Sequence, residues 1–410
     1  MADLDSSQKR SAAWIIAAQS CTKLGDVLTN PKTVLTWLLS QLGAPGAVIS
    51  MLVPVRESGS MLPQLFISGL VKRRRRRKWV FVAGALAQAA AVAAMGGVAL
   101  LLPPAAAGLG VLAAVALFSI ARAFCSISSK DVLGRTIPKG FRGRVGGISN
   151  AISGVVSMLA ALGLVLLGGR DDAGLLAALV LGASSLWVLG AACYARVDEP
   201  PREPRAEEDL GADLKERLRL VRSDRLFRRF IIARSLLLGS ALASPLLVVL
   251  AQQGGGRMSS LVGFVVASGV ASATSSFFWG ALADRAAHRA MTWGGLVATA
   301  VGLAALGIGL LAPPWSAHPL VWPAMFLLFN VGYQGVRLGR KTWVVDAAEG
   351  DRRTDYVSAS NTLIAVMVLV LGALASPLQA LSPLLPLGLF SALCLAGALV
   401  ALGLDSRAAR

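Results

Sequence analysis

The chain has 410 residues, of which 55% are hydrophobic and only 15% charged, with a mean hydropathy of +0.66; soluble domains run nearer 45–50% apolar and about 25% charged. Lys and Arg number 40 against 22 Asp and Glu, a formal charge of +18. These values exclude a disordered chain and a collagen-like repeat, and leave a membrane protein with basic loops or a nucleic-acid binder with an unusual core.

The start of the chain, residues 1–13, is polar with no apolar run, so no cleavable signal peptide is expected. From there, apolar stretches recur at 17–41, 46–70, 79–102, 109–132, 146–168 and 173–196, then at 227–251, 259–282, 290–312, 320–343, 357–380 and 384–404. Each reaches the roughly 20 residues that a helix needs to cross a hydrocarbon core of about 30 Å. Barrel strands, at about 10 alternating residues, do not fit. The expected fold is therefore an all-α integral membrane bundle of 12 transmembrane helices.

The loops orient it. With the N-terminus inside, the short inner connections 71–78, 133–145, 283–289 and 346–356 hold 7, 4, 2 and 2 Lys/Arg, whereas the outer connections hold only Arg170 and Arg257. By the positive-inside rule both termini are expected in the cytoplasm. The KRRRRRK run (Lys72 to Lys78) reads as a topology determinant that touches anionic inner-leaflet lipid; between two spans it does not argue for nucleic acid. The longest polar connection lies mid-chain. It opens as DEPPREPRAEED and continues with Leu210, Leu214, Leu218 and Val221 at helical spacing, an amphipathic helix for the inner leaflet. The expected organisation is a six-helix bundle over 1–197, a cytoplasmic linker over 198–226 and a second six-helix bundle over 227–410.

A shift of 211 residues superposes the halves at loop positions: Gly280 on Gly69, Arg285 on Arg74, Lys341 on Lys130, Arg353 on Arg142 and Asn361 on Asn150. Parallel six-helix repeats with the solute site between them describe one large transporter class. The segment GALADRAAHR (Gly280 to Arg289) resembles the inside-loop motif of the major facilitator superfamily, and Gly69 to Lys78 resembles its first-half copy, with Arg73 where the family has Asp. Arg122 in the fourth span is similar to that family's arginine motif, without its glycine-rich continuation. The resemblance implies two pseudo-symmetric halves and a cytoplasmic lock involving Gly69, Gly280, Asp284, Arg285 and Arg289. It implies no subfamily.

Polar residues on membrane spans are costly and turn towards the bundle interior. The first span places Asp26, Thr29, Asn30, Thr33, Thr36, Trp37 and Ser40 on one face, interrupted by Pro31 and Lys32, with a kink expected at Asn30-Pro31. The second contributes Arg56, Glu57, Ser60 and Gln64; the fourth Ser119, Arg122, Ser126 and Ser129; the seventh Arg234; the tenth Asn330, Gln334, Arg337 and Lys341. The serine stripes are equally compatible with close helix packing, Lys130 and Lys341 with snorkelling, and Glu57 with an ion pair to Arg56, Arg122 or Lys32. Asp26 and Glu57 are the mid-membrane acids and hence the proton-coupling candidates. Asn30, Lys32, Trp37, Arg56, Gln64, Arg122, Ser126, Arg234, Asn330, Gln334 and Arg337 are the solute-cavity candidates.

GLGVLA (Gly108 to Ala113) and GIGLLA (Gly307 to Ala312) fit a loose dinucleotide fingerprint but fall inside spans, not after a strand. There is no GxxxxGK(S/T), HExxH or GxSxG motif. Cys21, Cys125, Cys193 and Cys394 are scattered, and only His288 and His318 occur, so neither metal nor other cofactor is expected. The expected function is a monomeric secondary transporter of the inner membrane, not an enzyme. It would move a small organic solute, an anion or an exported drug or metabolite, with protons. The alternative is a non-transporting sensor or assembly factor on the same fold.

Overall fold

The computed structural model describes residues 5–63, 73–138, 173–201, 221–256, 258–311, 313–347 and 351–404, with isolated positions between 64 and 72, between 141 and 152, and at 219. Among them there is no strand. The fifth span, Gln64, Gly69 and Leu210, Leu214 and Leu218 of the linker helix lie outside the described residues.

The first span begins earlier than its apolar stretch and comes in two pieces, α1 (Ser6–Leu28) and α2 (Val34–Gln41). A capping box starts α1: the Asp5 carboxylate accepts from the N3 backbone while the Gln8 side chain accepts from the Asp5 amide. The expected kink is a full break over residues 29–33, because Pro31 cannot donate to a helical ladder. Asn30 Oδ1 accepts from the Lys32 amide at 2.8 Å, and Thr36 Oγ1 donates to the freed Pro31 carbonyl at 2.7 Å. The break is therefore a satisfied turn.

The following helices are α3 (Gly46–Met61), α4 (Lys78–Leu101), α5 (Pro104–Thr136, with proline at its first turn) and α6 (Ala173–Ala195). The seventh span is in three pieces, α7 (Arg225–Leu236), α8 (Gly239–Leu242) and α9 (Ser244–Gln253). Asp224 caps α7 by accepting from the Phe227 amide at 2.9 Å. Where the charges of 283–289 suggested a loop, α10 (Met258–Leu311) runs through both the eighth and ninth spans, its helical backbone interrupted at Ala286 (φ −158°, ψ 87°). The short α11 (Pro313–Ser316), α12 (Val321–Asp346), α13 (Asp351–Leu381) and α14 (Leu384–Leu402) complete the order.

Seven of the described helices or joined segments are long and apolar enough to cross a membrane. The segments that fall short include α1, α3 and α12, which carry Asp26, Arg56, Glu57, Asn330, Gln334 and Arg337. The chain is a multi-pass membrane protein of helical bundle fold.

In the first half α4 packs on α5 and α6, α6 on α1, and α3 on α5; in the second, α10 packs on α12 and α14, and α7 on α14. Small residues allow the closest approaches: a Cβ on Gly332 would lie 2.8 Å from the Ala298 nitrogen and the Gly294 carbonyl oxygen. Between the halves α3 meets α13 and α2 meets α9. This seam lies on the face opposite the termini and reaches mid-bundle. There Gln252 Nε2 donates to the Trp37 carbonyl at 3.0 Å, Ser376 Oγ to Ala47 at 2.9 Å, and Ser58 Oγ to Ala365 at 2.7 Å.

Candidate functional site

Three spans converge on one carboxylate. Asp26, near the end of α1, accepts from Arg56 of α3 at 2.9 Å and from Arg122 of α5 at 2.5 and 2.6 Å through its two oxygens. Trp187 of α6 backs the turn that carries Asp26. Gly25 is required there, because a Cβ would meet the indole ring at 2.5 Å. The Arg56 guanidinium also lies 3.9 Å from the centre of the Phe118 ring, which packs edge-on against Trp187. The arginine is thus held by charge on one side and by an aromatic face on the other. Ser119 hydrogen-bonds its own helix at Val115, and its Cβ would sit 2.8 Å from one built on Gly59, so here the serine stripe marks close packing of α3 on α5.

The cluster is accessible as well as paired. The Arg122 side chain keeps 39% of its surface exposed, against 22% for Asp26 and 12% for Arg56. Glu57 is half-buried and lies within electrostatic reach of Arg56 and Arg122, and its side chain makes no hydrogen bond or ion pair among the described residues. Of the pairings open from sequence for Arg56 and Arg122, the structure adopts neither with Glu57; both choose Asp26.

The second half faces this cluster with Tyr333 of α12. Lys32 Nζ lies 3.9 Å from the centre of its ring, a contact that crosses between the halves at the level of the first-span break. Glu57, Arg337 and Arg340 also lie within electrostatic reach of the phenol. Tyr333 is absent from the polar stripe read from sequence, although it stands three residues after Asn330 and so shares its face. A tyrosine is grouped with the hydrophobic residues, so its hydroxyl does not mark it as part of a polar stripe.

Other candidates sit elsewhere or turn inward. Arg337 donates to Gln334 Oε1 at 3.3 Å, and Asn330 donates to its own helix at Phe326. Ser126 is half-buried, with its backbone carbonyl accepting from Ser129. Trp37 is 1% exposed and belongs to the seam, packed against Phe264 at 6.4 Å between ring centres. Arg234 is 7% exposed and has no acidic partner among the described residues: it donates to Ser360 Oγ and, at 3.1 Å, to Asn361 Oδ1, while its Nε is unbonded.

Of the inside-loop motif, Gly280 lies within α10, and the side chains of Asp284, Arg285 and Arg289 make no hydrogen bond or ion pair among the described residues. The first-half loop is bound up within its own half: Arg77 pairs with Asp131, Arg135 with Glu199 at 3.0 Å, and Glu199 Oε2 accepts the Lys78 amide at 2.7 Å. Among the described residues no group of three or more His, Cys, Asp or Glu is placed to hold a metal, and all four cysteines are free.

Solved structures with the same architecture are transporters. The POT family transporter PepTSo superposes with a TM-score of 0.74 at 12% identity, covering 98% of each chain. The nucleoside transporter NupG, in the form of a point mutant, gives 0.72 at 9% identity over 97% of this chain and 99% of its own. A D-xylose-proton symporter gives 0.67 at 12% identity over 96% and 97%. These likenesses establish a shared fold. A comparison with curated protein sequences finds no match. The sequence itself matches the Major Facilitator Superfamily over residues 16–370, most of its length. The chain therefore belongs to the major facilitator superfamily.

Proposed function

We propose that this protein is a proton-coupled secondary transporter of a small organic solute that carries an acidic group. It works as a monomer by alternating access in the inner membrane with both termini cytoplasmic. Bundles 1–197 and 227–410 move about the solute, and linker 198–226 joins them. The observation that carries the reading is the sharing of Asp26 by Arg56 and Arg122 beside Glu57, whose side chain forms no ion pair among the described residues. A proton on Asp26 dissolves the double pair and leaves Arg122 available to the carboxylate or phosphate of a solute. Loss of the proton restores the pair and expels the anion. Glu57 takes up a proton without breaking any ion pair, and its reach to both arginines suits it to pass that proton on. The cationic surplus of Lys32, Arg56, Arg122, Arg234 and Arg337 over two acids favours an anion, because excess positive charge in a low-dielectric site is relieved by one.

The arrangement is read as inward-facing: the halves meet along α3–α13 and α2–α9 towards the outer side, and among the described residues the side chains of Asp284 and Arg285 form no ion pair on the inner side. The D-xylose-proton symporter of the same fold carries proton coupling in its name, which supports the coupling mode and says nothing of this solute. The test is pH-gradient-driven uptake in proteoliposomes screened against organic acids. Asp26→Asn is expected to abolish gradient dependence while solute exchange persists at a reduced rate, and Glu57→Gln to slow it at least tenfold. If both variants keep pH-dependent transport, the coupling assignment fails; if only cationic solutes are moved, the anion assignment fails.

A further inference from the structure

The outer wall of the first half carries a groove that the transport site does not use. It runs between α4 and α5 and encloses about 840 Å³. Ala83 and Ala87, one turn apart on α4, form its floor, and Leu117, Ile120 and Phe124 of α5 wall it. Trp79, Leu117 and Ile120 are 53%, 52% and 42% exposed, so the groove opens to hydrocarbon and not to the bundle interior. At the terminus-bearing end the lining changes to Arg73, Arg74 and Arg76, with the Trp79 indole at the boundary, the level where tryptophan anchors at a bilayer surface.

The nearby acids are already committed. Asp131 pairs with Arg77, Glu199 with Arg135 and Asp198 with Arg10. Arg74 and Arg76 are exposed and form no ion pair among the described residues. A water-soluble anion would use the guanidinium end and gain nothing from the apolar trough. A zwitterionic lipid would bring its own cation against the arginines. An anionic phospholipid matches both ends: its phosphate takes the forked guanidinium donors, and an acyl chain fills the trough.

We infer that this groove is a binding site for one anionic phospholipid, with its headgroup on Arg74 and Arg76 and a chain along Ala83 and Ala87. The α5 turn that walls the groove carries Arg122 between Ile120 and Phe124, so the bound lipid buttresses the helix that holds Asp26.

The test uses the full chain in phosphatidylcholine nanodiscs titrated with phosphatidylglycerol, read by native mass spectrometry and thermal shift. R74Q/R76Q is expected to weaken binding roughly fivefold per arginine, about 25-fold together. R285Q/R289Q, which removes the same charge from the same face, leaves binding unchanged. Ala87→Trp, or Leu117→Trp should the first not fold, fills the trough and weakens binding at least tenfold with the arginines intact. Glycerol phosphate and inorganic phosphate produce no comparable shift. The proposal is overturned if the two double variants weaken binding equally, if filling the trough changes nothing, or if a phosphate without acyl chains stabilises as well as the lipid.

Discussion

The loop after the second span and its repeat 211 residues later occupy equivalent places, yet their charges are used in opposite ways. In the first half Arg77, Lys78 and Arg135 are tied to Asp131, Glu199 and the carbonyls of Ala195 and Val197. In the second, the side chains of Asp284, Arg285 and Arg289 find no partner among the described residues. The same contrast holds inside the bundle: Arg56 and Arg122 share an acid, whereas Arg234 has, among the described residues, only a hydroxyl and an amide. Among the described residues, Arg56, Arg77, Arg122 and Arg135 of the first half meet acids of their own half, whereas Arg234, Asp284, Arg285 and Arg289 of the second form no ion pair. Reserve charge costs stability and is retained where something else is to meet it, whether the facing half or a solute.

The sharpest test compares Glu199 with Asp284. The Glu199 side chain is fully buried and holds Arg135 and the Lys78 amide. Glu199→Ala strands a buried arginine and should cost about 3–5 kcal/mol. Asp284→Asn should stay within about 0.5 kcal/mol. Denaturation in detergent measures both, and similar losses would erase the contrast. A smaller effect is expected at the paired and unpaired arginines. Asp26→Asn should destabilise by about 2 kcal/mol, because two guanidiniums lose their acid. Arg234→Met should change stability by under about 1 kcal/mol or raise it, since no acid is orphaned, while lowering transport. A large loss of stability for Arg234→Met would show that its hydroxyl and amide partners suffice as counter-groups. The smallest effect lies at Asp198, exposed at the end of the first half. The hydrogen bond and charge of Arg10 hold its carboxyl below the usual 3.8. A lowered value contributes stability above the unfolded pKa that is lost as pH falls through the folded one, so the contribution fades only below about pH 4. Arg10→Gln should move the Asp198 titration up towards 3.8, as followed by carboxyl NMR, with no change at neutral pH.

The apolar stretches were legible because a hydrocarbon slab demands long runs, and the Asn30-Pro31 break because proline removes a donor. The interruption at Leu237 and Leu238 was not, since these residues carry no breaker signature and are set by packing, with Gly239 against the Phe390 carbonyl, whereas the one at Ala243 has its signal in Pro245 at the first turn of α9. The charges in ADRAAHR imitate a loop, yet the chain needs only one non-helical residue there. Stripes of Asp26, Arg56 and Arg122 were each visible along their own helices. Their partnership depends on how three helices are rotated about their axes, which one-dimensional periodicity does not encode. Tyr333 was missed for a simpler reason: its ring reads as apolar and its hydroxyl does not register.

Besides apolar packing such as Trp37 on Phe264, the seam between the halves carries serine hydroxyls and one glutamine amide donating to backbone carbonyls, with no ion pair across it among the described residues. Each such bond nets about 0.6–1 kcal/mol inside a membrane bundle, so the three together contribute only about 2–3 kcal/mol. Those carbonyls also serve the ladders of their own helices, so water can replace a departing hydroxyl without orphaning a group. The polar part of the fastener is therefore weak and exchangeable by construction, and what holds the halves together beyond it is packing.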